Sequence, residues 1–455
     1  MSAKPPAFLL TGAFRVICRN PRYLTELARR GLRILVICPD SSRAQAEAVI
    51  GTPGSRAALI TDIAYVDGAL DRESSFNPGV FAELQKWTEH YRIVGAYAME
   101  ETLVEPTGMV CDALGLPGPG LRASRVCRTK YLQRAHLAQF GPQALTVPPG
   151  RRHLVELEDF RYPVVVKPAT RHASSGVLSC DNADEVAAVL SEYREHETAL
   201  IEQKVIGQEF SVESLVRNGE VVFSSVTEKE TTDTWDRTFV ELAHSVPAAA
   251  SSIGGVDVTA CLSEANRRVL ATLAFENGIT HSEWRVTAGG EAYLMEIASR
   301  TPGDGLTILY ELACGVPLEP QIVAIALGEE AAYPPPRRRT RQVYVEHGPG
   351  ILRDVTLDWP GTTVTWIGET DLWPAVRPGE AGDAPALRSV LVLKGRGSRL
   401  EPLRSSDDRA VTFFIDADTD TELDALEARV RAAIRLDIDY AGKTAPARVN
   451  VSSTA

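Results

Sequence analysis

No apolar run in the 455-residue chain approaches the roughly 18 residues that a membrane helix needs. The apolar stretch near the start, Ala7 to Leu10, is shorter than the h-region of a secretory signal. There is no CxxC pair. The cysteines Cys18, Cys38, Cys111, Cys127, Cys180, Cys261 and Cys314 are scattered and odd in number, which argues against a disulfide framework or a structural zinc site. A reducing cytoplasm is the expected compartment. Positive charge is in deficit: 48 Lys and Arg against 60 Asp and Glu give −12, so the net basic face of a nucleic-acid binder is missing. No GxGxxG follows the first strand, which removes support for a dinucleotide site. Internal repeats and long low-complexity segments are also missing.

What is present is ordinary for a globular protein: 44% hydrophobic and 24% charged residues, in a chain long enough for about two to four domains. The first segment, 1–120, alternates strands and helices. Ala7 to Leu10, Arg33 to Cys38 and Ile93 to Ala98 read as strands. Leu24, Leu27 and Ala28 mark a helix face that Gly31 stops. This pattern predicts a mostly parallel sheet with any ligand off the strand C-terminal ends. The turn-rich run Leu114 to Gly120 looks like a boundary.

A helix is predicted over about Arg128 to Phe140, and a buried strand over Val164 to Pro168. Asn218-Gly219 is a hairpin turn between two strand-like runs. A second boundary is read at Tyr333 to Arg339, where three prolines and three like charges follow one another. The remainder, 341–455, is β-rich with Gly and Pro turns, then a helix near Thr421 to Leu436.

Several pieces could carry chemistry. Lys167 ends an apolar strand, and Arg171 to Val177 follows with Ser174, Ser175 and Gly176. Small residues let backbone N–H groups approach a polyphosphate, and the cations balance its charge. A plain polar hairpin would read the same. In Leu200 to Glu209, an apolar strand ends at Glu202 and leads through Gln203 and Val205 to Glu209. An extended linker of this kind can offer backbone groups to an adenine edge and a carboxylate to ribose hydroxyls; a solvated charged loop is the alternative. Glu283 and Glu296 fall on two strands joined at Ala288-Gly289-Gly290, which brings two acids together. Hard oxygen ligands suit Mg²⁺ or Mn²⁺ bridged to substrate phosphates. Arg300 enters the Gly-rich loop through Gly303 and Asp304, and an arginine there can read a phosphate or carboxylate. His281 is either a substrate contact or a packed histidine.

Taken in order, these pieces resemble the ATP-grasp superfamily of carboxylate–amine ligases over about Arg122 to Gly328. Lys130, in Cys127 to Tyr131, looks like the first ATP lysine and Lys167 like the second. Ala173 to Gly176 resembles the phosphate-covering loop, Glu202 to Val205 the adenine hinge, and Glu209 the ribose position. Glu283 and Glu296 fall at the metal carboxylates, and Arg300 at the arginine near the transferred phosphoryl group. Gly95 to Arg134, Gly278 to Glu283 and Gly303 to Gly315 are similar to the branch containing L-amino acid ligases and carnosine synthase. One position departs: the family's usual Asn two residues after the second metal Glu is Ala298, which implies either compensation by Ser299, Asp304 or water, or a weakened second Mg²⁺ site.

The resemblance implies an α/β and α+β multidomain fold. Its parts are an N-terminal Rossmann-like parallel sheet (1–120), a two-lobed ATP-grasp unit (121–332, with the small lobe about 125–203) and a β-rich C-terminal lobe (341–455). It implies a ligase that uses ATP and Mg²⁺ (or Mn²⁺) to activate the carboxylate of an amino acid as an acyl phosphate, which an amine then attacks. The partners would be small molecules, with no nucleic acid or membrane and a homodimer left open. Lys130, Lys167 and Arg300 would balance the phosphate charge, and His281, Gly303 and Asp304 would face the substrate. A biotin-carboxylase-like enzyme is the rival, but its all-glycine loop and a Met-Lys-Met are missing. A nucleotide-binding module that no longer ligates is the other, and Ala298 is the feature that favours it. Trp359, Trp366 and Trp373 are candidates for a pocket lining or for packing.

Overall fold

The structure is a computed structural model that describes residues 3–440 apart from Pro53, Trp235, Ala250, Asp371 and Leu372. The expected C-terminal lobe therefore extends, over 441–455, outside the described residues, as do Met1 and Ser2 of the first segment.

The first segment forms a parallel four-stranded sheet in the order Asp62–Val66, Arg33–Pro39, Pro6–Thr11, Arg92–Ala98. Alternation along the central strands explains it. Ala7, Leu9, Leu35 and Ile37 enter one core, while Phe8, Leu10, Ile34 and Val36 enter another. Burial on both faces is the condition for a parallel sheet. The strand order reverses beside Pro6–Thr11, so the loops after it and after Arg92–Ala98 form a crevice.

The predicted helix over Arg128 to Phe140 is the shorter Lys130–His136, and a separate helix, Leu121–Arg128, precedes it. Thr129 between them is extended (φ −130°, ψ 114°), because the Lys130 amide is captured by the Ala169 carbonyl at 3.2 Å. The small lobe is an antiparallel sheet ordered Ala144–Val147, Ala199–Gln203, Val164–Pro168, Leu178–Cys180. Helix Ala183–Glu192 covers it with Val186 and Leu190, and the Asn182 side chain caps its first turn.

The main sheet has nine strands. Its order is Ala292–Ala298, Gly278–Val286, Gln208–Arg217, Glu220–Thr231, Glu241–Val246, Arg339–Val345, Val411–Ala417, Ala386–Val392, Val364–Trp366. Asn218 and Gly219 (φ 52° and 79°) make the hairpin turn between Gln208–Arg217 and Glu220–Thr231. The run Tyr333 to Arg339, read as a boundary, is anchored by its buried residues Tyr333 and Arg338. The Arg338 side chain is fully buried on Asp416 and Asp418, and strand Arg339–Val345 pairs with Glu241–Val246 on one side and Val411–Ala417 on the other. The C-terminal segment thus shares its main sheet with the central one.

Helix Asp420–Ala433 opens on a Thr419/Glu422 capping box and buries Leu423, Leu426 and Val430. Ile434, expected on that helix face, instead starts strand Ile434–Asp439, which pairs with Gly350–Leu357. All the cysteines are free thiols. Among the described residues no single helix is long and apolar enough to cross a membrane. The apolar helices Leu306–Cys314 and Glu319–Ala326, bent by 104°, lie in the core against the N-terminal sheet.

Candidate active site

A cleft of about 950 Å³ opens where the three segments meet. Its walls come from the crevice of the N-terminal sheet (Met99 to Glu101), from both central lobes, and from Trp373 to Val376 and Arg409 of the C-terminal segment.

The hairpin Gly278–Val286/Ala292–Ala298 sets the two predicted metal carboxylates directly opposite each other, Glu283 against Glu296. The Glu296 carboxylate accepts a hydrogen bond from Lys130 Nζ at 3.0 Å. The Glu283 carboxylate accepts one from Lys229 Nζ at 2.6 Å. Burial opposes ionisation of Glu283, but Lys229 and His281 outweigh it and hold the carboxyl well below the usual range.

Lys167, at the end of strand Val164–Pro168, lies 2.7 Å from Glu202. Arg134 reaches the other oxygen of Glu202 at 2.7 Å and donates to the Met295 carbonyl at 2.6 Å. The Glu202 side chain is therefore a buried hub for two cations, while the chain beyond it (Gln203, Lys204, Val205) lines the cleft. Desolvation pulls Lys167 below the ordinary lysine range despite the opposing charge of Glu202. The Gln203 amide turns to the backbone of Arg161 and Pro163. Glu209, at the predicted ribose position, is held by Arg285 at 2.6 Å and Lys229 at 3.3 Å.

The loop after Lys167 follows an unusual path, with Ala173, Ser174 and Gly176 all at positive φ. Ser174 Oγ donates to the Phe239 carbonyl at 2.9 Å, and the Ser406 amide donates to the Ala173 carbonyl at 3.2 Å. The loop is thereby fastened to the large lobe and to the C-terminal segment. Ser174 and Ser175 line the cleft; Gly176 does not, and its carbonyl accepts from Tyr193.

Arg300 donates through Nε to Glu101 at 2.7 Å, across the junction with the N-terminal sheet. Gly303 and Asp304 lie on the same rim. The Asp304 carboxylate is already engaged by Arg409 (2.5 and 3.0 Å) and His244 (2.8 Å). Those bonds leave it poorly placed to replace the Asn missing at Ala298, which lines the cleft beside His281. His281 donates from Nδ1 to Glu213 at 2.7 Å. Ser211, Thr227 and Tyr310 also donate to Glu213; burial opposes its charge, but His281 with Thr227 and Tyr310 holds this buried carboxyl below the usual range. Burial acts against charge on His281, but Glu213 and Glu283 raise its pKa to about 9. Trp373 lines the cleft, whereas Trp359 and Trp366 pack on the C-terminal core.

Sequence reading missed Lys229, Arg134, Glu213, Glu101 and Arg409. A signal for Lys229 existed: Phe223, Ser225, Thr227, Lys229 and Thr231 alternate on the buried face of one strand. The others acquire meaning only through partners distant in the chain.

Glu283 and Glu296 suit a hard divalent cation. They are two oxygen donors on neighbouring strands, with side chains 24% and 28% exposed toward the cleft, and substrate phosphates would complete the shell. Among the described residues no cluster of three or more His, Cys, Asp or Glu offers another metal site.

Residues 160–308 match the ATP-grasp domain. Over 288 residues the chain is 24% identical to alanine–anticapsin ligase of Bacillus amyloliquefaciens, covering 56% of this chain and 58% of that protein. The match thus spans less than two thirds of that relative's length. Over 238 residues it is 26% identical to D-alanine–D-alanine ligase of Geobacter sulfurreducens, covering 48% of this chain and 71% of that one. The fold superposes on the crystal structure of L-amino acid ligase from Bacillus licheniformis with a TM-score of 0.71. That alignment covers 96% of this chain and all (100%) of that one, at 18% identity. The Rossmann-like, ATP-grasp and C-terminal β parts are thus arranged as in that structure.

Proposed function

We propose that the protein is an ATP-dependent carboxylate–amine ligase that joins an amino acid to an amine through an acyl phosphate. The observation that carries this reading is the convergence of Lys130, Lys167, Arg300, Glu283 and Glu296 on one cleft from distant parts of the chain.

A carboxylate is a poor electrophile in water because its charge is delocalised. Transfer of the γ-phosphoryl group of ATP to the carboxylate oxygen releases ADP and gives a mixed anhydride. The amine nitrogen then attacks the acyl carbon, phosphate leaves with the bonding electron pair, and the amine loses a proton. Such transfer depends on positioning and on charge stabilisation. Lys130 and Lys167 supply cations from buried walls, where the low dielectric strengthens them, and Arg300 supplies one from a half-buried position. Mg²⁺ held by Glu283 and Glu296 would screen the phosphate charge. The fastened Ala173–Ser174 loop, bridged to Phe239 and Ser406, would keep water from the anhydride.

The test is ADP release with amino acids and amines supplied singly and in pairs, followed by product mass analysis. Release that needs both partners, with a product lighter than their sum by one water, is expected. Tight ATP binding without turnover across the panel would favour a nucleotide-binding module instead, the reading that Ala298 keeps in play.

A further inference from the structure

On the wall of the cleft, Arg22 lies against two carboxylates, those of Glu311 and Glu319. Arg22 forks onto Glu311, with Nη2 on Oε1 at 2.7 Å and Nη1 on the other oxygen. Its approach to Glu319 is 3.9 Å, beyond a hydrogen bond. Glu319 is only 6% exposed, and its Oε2 is buried with no hydrogen-bond partner among the described residues. One oxygen of Glu319 thus lacks a donor in a wall that water barely reaches. Burial pushes the Glu319 carboxyl up, and Glu311 adds to this, while Arg22 and the amides of Leu318 and Glu319 act the other way.

We propose that Glu319 anchors a substrate ammonium group at this end of the cleft. The proposal rests on the ligase reading above for the identity of its substrate. A buried carboxylate oxygen lacking a donor is costly, and a primary ammonium brings three donors and the missing charge in a compact group. A divalent cation is a worse match, because Glu311 is committed to Arg22 and a single oxygen does not make a hard-metal site. The apolar lining of the same cleft by Ile308, Trp373 and Val376 suits the carbon skeleton of an amino acid. The site is also close to the reacting end. Tyr23, next to Arg22, bonds Thr301 at 2.9 Å, and Thr301 follows Arg300.

Two ammonium groups share this chemistry, the α-ammonium of the amino acid that gives its carboxylate and the amine that accepts it. Hydroxylamine trapping separates them, because it reports activation of the carboxylate without the second substrate. If the donor ammonium binds, Glu319→Gln raises the donor KM in the trapping assay about tenfold or more. In that case the wild type's preference for amino acids over their desamino analogues collapses. If the accepting amine binds, the trapping KM stays put and the amine KM of full ligation rises by a similar factor. In either case the KM for ATP moves less than about twofold. Shifts below twofold in both substrate KM values, or an equal rise for ATP, would overturn the proposal.

A readout without turnover stands beside these. Propylammonium chloride is expected to raise the wild-type Tm above that in matched NaCl, and to lose this effect in Glu319→Gln and keep part of it in Glu319→Asp. An identical response of wild type and Glu319→Gln counts against the site. Absence of ADP or hydroxamate with every carboxylate counts against the ligase reading alone.

Discussion

Glu283 and Glu296 face each other across two antiparallel strands, yet their carboxylates are neutralised by different lysines, Lys229 at 2.6 Å and Lys130 at 3.0 Å. Two carboxylates are thereby kept adjacent, each held by an ammonium group from a different element.

Both carboxylates are expected to set the metal requirement. Glu283→Gln and Glu296→Gln should each raise the Mg²⁺ concentration for half-maximal ADP release about tenfold or more at fixed ATP. The exposed Glu264→Gln, whose carboxylate pairs with Arg267 on a helix surface, should leave the Mg²⁺ titration unchanged.

Lys229 sits among three carboxylates, Glu283, Glu209 (3.3 Å) and Glu241 (3.7 Å). Replacing it by Met strands these charges in a buried place. A loss of about 3–5 kcal/mol in urea unfolding is expected. A loss below about 1 kcal/mol would show that the cluster is better solvated than its burial indicates.

Arg300→Met should cut ADP release by about 10²–10³, the scale of losing one preorganised donor to developing charge. ATP affinity by calorimetry should change only a few-fold. The variant also unpairs Glu101, so its Tm should fall; a normal Tm with full activity would remove Arg300 from the mechanism.

Acid stability should report Glu202. Burial opposes its charge, but Arg134 and Lys167 win and hold it below the ordinary 4.5. A lowered carboxyl contributes stability that is fully present above about pH 4.5 and is lost as pH falls through the lowered value. Glu202→Gln should therefore be less stable at pH 7 and show a flatter acid limb in unfolding between pH 5 and about pH 3. Parallel acid limbs for the two proteins would contradict this assignment.

Local rules made much of the fold legible. Val164–Pro168 announces itself as a strand because an apolar run is closed by proline, and Asn218-Gly219 because only a left-handed turn suits that pair. The opposition of Glu283 and Glu296 follows from one short hairpin and was equally readable. Where tertiary partners decide, the sequence is mute. Thr129 breaks a helix because Ala169, forty residues on, takes the next amide. Arg338 reads as one of three like charges at a boundary and is in fact buried on Asp416 and Asp418. Asp304 reads as a substrate-facing residue but is claimed by Arg409. Glu213 reads as one more strand residue until His281 and Tyr310 are brought to it.

Because Arg339–Val345 is hydrogen-bonded on both sides, the ladder runs unbroken from Ala292–Ala298 to Val364–Trp366. A fragment truncated just before this strand would bare Glu241–Val246 as a raw edge, an invitation to pair with other chains. The tail is accordingly no detachable accessory, and exchanging it between relatives would mean rebuilding a sheet rather than swapping a module.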